Sequence, residues 1–224
     1  MRLEEEWRDK QGVRPAGILL ADLCAIYIPI PKVANTSVKA ALADALGLRG
    51  DVHWEIQWPW VEPETIWSHY ADWFVFTFVR NPWDRLLSCY LSKIHPDRMD
   101  DPLLRNGVEP EFWKYGSVFH GKMSFTDFVR ATAAIPDEEA DIHFGSQYLY
   151  VTDPSGGVFV DFLGRFESLD SNFEHVCERI GLPGRLPHLL QTQHGHYSSY
   201  YTPETEGLVR ERWVRVIDLF AYSF

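Results

Sequence analysis

The chain carries near its amino end the run Ile28-Pro29-Ile30-Pro31-Lys32-Val33-Ala34-Asn35-Thr36-Ser37. This run joins an apolar stretch at 24–30, which predicts a β-strand, to a stretch at 36–46 that predicts a helix. A short loop between a strand and a helix N-terminus turns backbone N–H groups and the positive helix end towards a ligand. Lys32 adds a charge, and Thr36 and Ser37 add hydroxyl donors. The pattern therefore predicts a cradle for a phosphate or sulfate group.

This loop differs from the phosphate-binding loop of nucleotide triphosphatases. That motif reads G-x-x-x-x-G-K-[ST], with the lysine near its end and a final hydroxyl that holds magnesium. Here Lys32 opens the loop, and the loop contains no glycine. For the run taken alone, the alternative is an ordinary turn in which Thr36 is the N-cap of the helix.

A second strand-to-helix transition begins with 73–79, an aromatic and β-branched run that predicts a buried strand. The strand leads directly into Arg80-Asn81-Pro82-Trp83-Asp84-Arg85-Leu86-Leu87-Ser88. Pro82 suits the first turn of a helix. Arg80 at the strand end and Ser88 two turns into the helix supply a fork and a hydroxyl that can hold a second phosphate. An ion pair between Arg80 and Asp84 is the alternative.

In this order the two segments resemble those of the sulfotransferases that use 3′-phosphoadenosine 5′-phosphosulfate (PAPS), especially the carbohydrate sulfotransferase branch and its bacterial relatives. The resemblance continues through 160–169, 194–202 and 218–224, and so spans 27–224. It implies a P-loop-kinase-like sulfotransferase architecture, in which the first segment binds the 5′-phosphosulfate and the second binds the 3′-phosphate. The residues implied in donor binding are Lys32, Asn35, Thr36, Ser37, Arg80 and Ser88.

Sulfuryl transfer requires the acceptor hydroxyl to lose a proton while negative charge builds up on the leaving phosphate. Lys32 is the predicted group that stabilises this charge, a role that requires no metal. The resemblance implies a histidine between the two segments as the general base, which favours His53, with His69 as the runner-up. Weaker candidates are His143, His194 and His196. The role of the loop that carries the last two stays open, because no third ligand suggests a metal site.

Charge and composition restrict the partners. The net charge of −11 argues against a surface that binds nucleic acid or a strongly anionic membrane. The widely spaced Cys24, Cys89 and Cys177 fit neither a metal motif nor a disulfide framework, and predict buried thiols in a reducing compartment. The run 1–7 lacks the apolar stretch of a signal peptide, and no stretch is long enough to span a membrane. These features predict a cytoplasmic enzyme without an integral membrane segment.

Alternating strands and helices predict an α/β fold with a mainly parallel central sheet flanked by helices. The predicted strands are 24–30, 73–79, 148–152 and 158–166. The predicted helices are 36–46, 63–70, 82–94, 124–134, 168–180 and 203–220. The irregular runs are 47–62, 95–122 and 182–193. We expect one domain over 1–224, in which 95–122 is a loop or lid insertion, and a ligand site beyond the carboxyl ends of the strands.

The predicted function is PAPS-dependent sulfuryl transfer to a hydroxyl of a glycan, a lipid headgroup or a small metabolite. A non-catalytic nucleotide-binding protein on the same fold is the alternative, and a phosphotransferase is a weaker one because no magnesium carboxylate motif is evident. A cluster of tryptophans is predicted to serve packing, with a sugar-stacking platform as the alternative. Its members are Trp54, Trp58, Trp60, Trp67 and Trp73. The sequence identifies neither the acceptor nor the oligomeric state.

Overall fold

The computed structural model describes residues 16–183, 186–187 and 195–224. They fall into two compact units, and the chain passes from one to the other between Arg80 and Asn81 and returns between Ser146 and Gln147. The sheet unit contains the described residues of 16–80 and 147–187, and the helical unit contains 81–146 and 195–224. The expectations of a single domain and of a lid at 95–122 stay predictions.

The sheet unit is built on five strands. They are β1 (Gly17–Leu20), β2 (Ala25–Ile28), β3 (Trp60–Val61), β4 (Phe74–Val79) and β5 (Phe162–Arg165). The strand order is β3-β1-β2-β4-β5, with β2, β4 and β5 parallel and β1 antiparallel to both of its neighbours. The α/β class with a central sheet flanked by helices is therefore confirmed. The sheet is mixed: the expected parallel arrangement holds for β2, β4 and β5, whereas β1 runs antiparallel to its neighbours.

The helices of the described residues are α1 (Asn35–Ala45), α2 (Pro63–His69), α3 (Pro82–Lys93), α4 (Phe125–Ala133), α5 (Leu169–Ile180), α6 (Pro203–Arg212) and α7 (Val214–Phe220). The first two and α5 belong to the sheet unit, and the others belong to the helical unit. Local signals set several of their ends. Ser124 caps α4 by accepting from the Asp127 N–H, and Gly181 ends α5 in the left-handed region. None of these helices has the length and apolar character to cross a membrane.

Two predicted strands differ in the structure. Residues 148–152 form no strand, because the N–H groups of Val151 and Thr152 bond back to the carbonyl of Tyr148, as in a helical turn. The strand predicted over 158–166 shortens to β5, which pairs with β4 only from Phe162 onwards. Val158 forms an isolated antiparallel bridge with Thr152 and is not part of a strand.

The helix predicted over 203–220 is divided into α6 and α7 at Trp213. The backbone of this residue leaves the helical region with φ −112°, and its indole N–H donates to the carbonyl of Phe144 at 3.1 Å. The indole is buried in the helical unit. Most of the run predicted as a loop, 182–193, lies outside the described residues.

The cysteine and tryptophan predictions hold in part. Cys89 and Cys177 are buried as expected, but Cys24 is exposed in the turn between β1 and β2, so its prediction is wrong. Trp58 is buried and donates to the carbonyl of Val52, whereas Trp54 keeps 55% of its surface exposed. Packing therefore accounts for Trp58 but not for Trp54.

Candidate functional site

The anion loop, residues 31–37, follows β2 and begins α1. Two of its residues, Lys32 and Ala34, adopt left-handed backbone conformations with φ 68° and 52°. Glycine is the residue that usually occupies this region, because a Cβ atom makes it unfavourable by about 1–2 kcal/mol. The loop thus obtains its tight course without glycine, and it stores backbone strain of the kind that collects at ligand-binding sites.

The amino end of α1 has an unusual cap. The N-cap residue is Ala34, which supplies no side-chain hydrogen bond to the first turn. The alternative of an ordinary turn with Thr36 as the N-cap is therefore wrong, because Thr36 lies inside the helix. Its hydroxyl lies 2.9 Å from Nε2 of His53 instead. The first turn of α1 consequently lacks the side-chain cap that would compete with an anion for its N–H groups.

His53 is held against the anion loop by a short turn. The Asp51 carboxylate accepts from the backbone N–H groups of His53 and Trp54, at 2.8 and 2.9 Å. The N–H of Asp51 in turn donates to Glu55. These bonds fix the backbone from which the His53 ring reaches Thr36, so the sequence-favoured histidine lies beside the loop.

The other histidine candidates have different surroundings. His69 is exposed at the end of α2, where its ring bonds to the neighbouring Ser68. His143 belongs to the helical unit and places Nδ1 2.6 Å from the Asp141 carboxylate. His196 is exposed and its ring bonds to the hydroxyl of Ser198. His194 lies outside the described residues.

Arg80 connects the two predicted phosphate sites. It follows β4, whose parallel pairing with β2 places the carboxyl ends of both strands at one edge of the sheet. The buried Arg80 side chain donates from Nη1 to the carbonyl of Lys32 at 3.1 Å. Its guanidinium carbon lies 3.9 Å from the centre of the Phe166 ring. Stacking covers one face of the guanidinium but uses none of its in-plane N–H donors.

Several sheet-unit residues that support the loop were not identified from the sequence. Thr77 donates to the carbonyl of Ile28 at 2.6 Å, directly before the loop. The buried hydroxyl of Tyr27 points to the Asn35 side chain at 3.4 Å, and burial raises its pKa. Gln147 bonds to the backbone of Arg80. Local sequence signals could not reveal these residues, because each contacts a group distant along the chain or on another element.

The second motif continues into the helical unit. Ser88 is 4% exposed on α3, and its hydroxyl makes no hydrogen bond within the described part of the chain. Arg85 is also buried, but it donates to the carbonyls of Ile142 and Gly145 at 2.9 and 2.7 Å. The two arginines of the motif therefore differ in what they contact: Arg85 donates to carbonyls of the helical unit, whereas Arg80 donates to the Lys32 carbonyl of the anion loop. An ion pair between Arg80 and Asp84 stays a prediction.

Asn81, the N-cap of α3, contacts two segments that lie far away in the sequence, at Tyr197 and at Ser223. Asn81 accepts from the N–H of Trp83 and donates to the carbonyl of Ser223 and the hydroxyl of Tyr197, at 2.9 and 3.2 Å. The ring of Phe224 contacts the rings of Trp83 and Tyr197. In the helical unit, Tyr197 and the residues 223–224 therefore contact the first turn of α3 and stabilise it.

The site residues fit an anionic phosphate ligand. The sheet unit presents a cation at Arg80, a half-buried Lys32 and the hydroxyls of the anion loop. In the helical unit, the Ser88 hydroxyl has no hydrogen-bond partner among the described residues. A hydroxyl without a protein partner can bond to a ligand. Among the described residues, no three His, Cys, Asp or Glu side chains are grouped to hold a metal ion.

Comparison with known proteins defines the class. The family model described as "Sulfotransferase family" matches residues 24–220, so the chain belongs to this family. Its likeness is to the carbohydrate sulfotransferases in particular. Carbohydrate sulfotransferase 14 of Danio rerio is 25% identical over 70% of this chain and 46% of its own length. The Mus musculus protein of the same name is 26% identical over 73% of this chain and 45% of its own length.

The chain spans about half the length of these curated relatives. An uncharacterised protein of Archaeoglobus fulgidus is 27% identical over 55% of this chain and 80% of its own length. No solved structure matches the chain significantly. The expected P-loop-kinase-like architecture therefore stays a prediction.

Proposed function

We propose that this chain transfers the sulfuryl group of PAPS to a hydroxyl of an acceptor. The contact between Arg80 and the Lys32 carbonyl supports this best, because it joins the two phosphate-type motifs of a Sulfotransferase family member. PAPS carries a phosphosulfate at its 5′ position and a phosphate at its 3′ position, and so presents two separate anions. Helix N-termini and arginine forks are the groups that proteins use for such anions.

Within this proposal each motif binds one end of the donor. The 5′ end is assigned to Lys32, Asn35, Thr36 and Ser37, and the 3′-phosphate is assigned to Arg80 and Ser88. The uncapped first turn of α1 supports the first assignment. The unpartnered hydroxyl of Ser88, within the described residues, supports the second. No metal takes part in the proposed step.

Lys32 is the proposed electrostatic catalyst. Its ammonium group can neutralise the charge that builds up on the leaving phosphate, and interactions of this kind contribute mainly to the transition state. The left-handed conformation at Lys32, together with the hydrogen bond to its carbonyl from Arg80, fixes the backbone from which the side chain extends. A fixed backbone reduces the reorganisation needed during the reaction.

His53 is the proposed general base, and Thr36 links it to the anion loop. A threonine hydroxyl has one hydrogen to donate. When that hydrogen goes to His53 Nε2, the lone pair that a base needs is occupied; an anion in the loop competes for the same hydrogen. The 2.9 Å contact therefore supports a base that becomes available when the loop is filled.

A carbohydrate is the proposed acceptor. The exposed Trp54 follows His53 directly, and both residues are held by the Asp51 carboxylate. An indole face is a suitable surface for stacking with a sugar ring. The curated relatives named carbohydrate sulfotransferase 14 agree with this choice. The platform would then lie next to the group that takes the proton of the sugar hydroxyl.

The proposal is tested by mass spectrometry of a panel of glycans, lipid headgroups and small hydroxyl compounds incubated with PAPS. We expect a sulfuryl mass gain on a glycan, and the gain should persist in EDTA. Thermal unfolding with 3′,5′-adenosine bisphosphate provides a second readout, because a ligand at one hundred times its Kd stabilises by about 2.7 kcal/mol. Stabilisation by ATP with magnesium instead would favour a phosphotransferase. Binding of the bisphosphate with no transfer to any compound would favour the non-catalytic alternative.

The predicted cytoplasmic location stays a proposal, and cell fractionation tests it.

A further inference from the structure

Gln147 makes a double hydrogen bond to one residue of the proposed donor site. Its side chain is 1% exposed. The amide oxygen accepts from the backbone N–H of Arg80 at 2.9 Å, and the amide nitrogen donates to the Arg80 carbonyl at 2.7 Å. Both polar atoms of the glutamine therefore serve the backbone of a single residue 67 positions away in the sequence.

The Gln147 bonds lie directly beyond the end of strand β4. Strand β4 ends at Val79, which is the last residue of β4 registered with β5, opposite Arg165. Arg80 is thus the first residue beyond the paired strand. A primary amide offers a donor and an acceptor side by side, as a peptide group of a neighbouring strand does. The Gln147 side chain accordingly continues the sheet's hydrogen bonding by one residue.

The side chain of Arg80 carries this constraint to the anion loop. Its guanidinium stacks on Phe166 and donates to the carbonyl of Lys32, which is in the left-handed region. A rotation of the Arg80 backbone would displace the guanidinium at the end of this long side chain and so disturb its contacts with Phe166 and the Lys32 carbonyl. Misplacement of a binding group by about 1 Å can cost on the order of a hundredfold in rate. The backbone conformation of Arg80 is therefore important for anion recognition.

We propose that Gln147 is a positioning residue that fixes Arg80 for recognition of the donor's 3′-phosphate. This inference rests on the proposed function, because it assumes that Arg80 binds that phosphate. A purely structural role would predict something different. Loss of Gln147 would then lower stability and weaken all ligands equally, with no selective effect on the 3′-phosphate.

The test is a ratio of dissociation constants measured by calorimetry. The Kd of adenosine 5′-monophosphate divided by that of 3′,5′-adenosine bisphosphate reports the contribution of the 3′-phosphate. We expect at least about tenfold for the wild-type chain, since the monophosphate lacks the charge-assisted hydrogen bonds that the 3′-phosphate makes. Gln147→Met keeps a side chain of similar length but removes both hydrogen bonds. It should reduce the ratio by at least about fivefold, which is about 1 kcal/mol of selective loss.

Thr77→Val is the matched control. It removes the buried 2.6 Å bond from Thr77 to Ile28, which joins β4 to β2 without touching Arg80. It should lower the melting temperature and leave the ratio at its wild-type value. A reduced ratio in Thr77→Val as well would overturn the inference, because the selective effect would then follow stability.

Gln147→Glu provides a second variant that keeps the side-chain length. Its carboxylate can accept from the Arg80 N–H but, when ionised, cannot donate to the carbonyl. We expect a ratio between those of the wild type and Gln147→Met. A wild-type ratio in either folded variant would overturn the inference. A wild-type ratio near one would instead overturn the assignment of the 3′-phosphate to Arg80, so the two failures are distinguishable.

Discussion

The anion loop of the sheet unit and the segment 137–146 of the helical unit are both polar, but they hold their polar groups in opposite ways. In the loop, Lys32 and Ala34 occupy strained left-handed conformations, and no N-cap side chain bonds to the first turn of α1. Its polar side chains are half-buried for the most part. Strain together with accessible donors is the pattern of a region adapted to a ligand.

The helical-unit segment pairs its polar groups with one another. Asp137 accepts from Arg212 at 2.7 Å and from the N–H of Ser146. Asp141 accepts from His143, and Arg85 binds two carbonyls of the segment. Groups satisfied in this way contribute to stability. The comparison teaches that substitutions in the loop should change activity, whereas those in the segment should change the free energy of unfolding.

The largest effect is expected for Lys32→Ala. We expect kcat to fall by roughly 10²–10³-fold, since the lost interaction is with charge that develops in the transition state. The affinity for 3′,5′-adenosine bisphosphate should fall much less. Steady-state kinetics and calorimetry measure the two quantities.

Lys114→Ala is the charge-matched control in the helical unit. Lys114 is half-exposed and lies 3.5 Å from Asp141. We expect kcat to stay within about twofold of the wild type, because surface ion pairs contribute about 0–1 kcal/mol. Normal turnover of Lys32→Ala at saturating donor would show that Lys32 only positions the ligand.

The second prediction compares His53 of the sheet unit, whose ring bonds to Thr36, with His143 of the helical unit, whose ring bonds to Asp141. His53→Gln should lower kcat by about 10²-fold and remove the acidic limb of the pH–rate profile, because a protonated imidazole cannot accept a proton. His143→Gln should lower the melting temperature and leave kcat within a few-fold. Kinetics across pH and calorimetric unfolding separate these results.

The comparison would break if folded His143→Gln lost turnover while His53→Gln kept it, since the helical unit would then supply the base. A silent His53→Gln beside an inactive His69→Gln would move the base to the runner-up position.

The third prediction uses the two arginines of one motif. Arg80→Ala should weaken binding of 3′,5′-adenosine bisphosphate at least about tenfold by removing charge-assisted hydrogen bonds. Arg85→Ala leaves the carbonyls of Ile142 and Gly145 without this donor and should lower the free energy of unfolding by at least about 2 kcal/mol. Calorimetry and urea unfolding give the two numbers. Unchanged affinity in Arg80→Ala would remove Arg80 from the donor site.

Much of the sheet unit could be predicted from sequence because its signals are local. β2 and β4 are continuous apolar runs, and their parallel pairing places the two anion motifs at one edge. The hairpin to β1 was missed because its turn ends at Cys24 in the left-handed region, where a glycine would have given a signal. The 3₁₀ turn at 147–150 replaces a predicted strand, and the long-range bonds of Gln147 to Arg80 leave no local pattern.

The same reasoning applies to the site. Lys32 and Arg80 could be selected because each belongs to a motif with a known physical role. The contact of Thr36 with His53 depends on how a loop 17 residues away folds back. The stacking of Phe166 under Arg80 depends on the register of β5 with β4. Neither follows from periodicity or composition.

The fourth prediction concerns acid and the helical-unit segment. Burial lowers the pKa of His143, with Lys93 acting in the same direction and Asp141 and Glu111 opposing it. The unfolded chain therefore binds this proton more readily, and the free energy of unfolding should begin to fall as the pH drops below about 6.5. His143→Gln should remove this first decline. If urea unfolding showed the same decline in both proteins, His143 would not be its source.

Asp141 should cause a second decline in the free energy of unfolding, at lower pH. Burial alone would raise its pKa, but His143 and Lys114 outweigh burial and lower it to about 2. The folded state thus keeps the carboxylate charged more readily than the unfolded chain. This contribution, roughly 2 kcal/mol, is present above about pH 4 and should be lost as the pH falls towards 2. Asp141→Asn should lack it.

The smallest effect is expected for Ala34→Gly, and it tests the strain in the anion loop directly. Glycine relieves a left-handed conformation that is unfavourable for alanine by about 1–2 kcal/mol. The greater freedom of glycine in the unfolded chain opposes this gain by about 0.4–1 kcal/mol. The net change in the free energy of unfolding should therefore be a gain of up to about 1.6 kcal/mol, measured by urea unfolding.

Ala131→Gly in α4 is the matched control, because the same substitution inside an unstrained helix of the helical unit should cost about 1 kcal/mol. Opposite signs for the two variants would show that position 34 of the loop holds an unfavourable backbone conformation that position 131, inside α4, does not. A loss in Ala34→Gly as large as in Ala131→Gly would mean that position 34 bears no strain. The loop would then owe its fit to an anion to its side chains and not to its backbone.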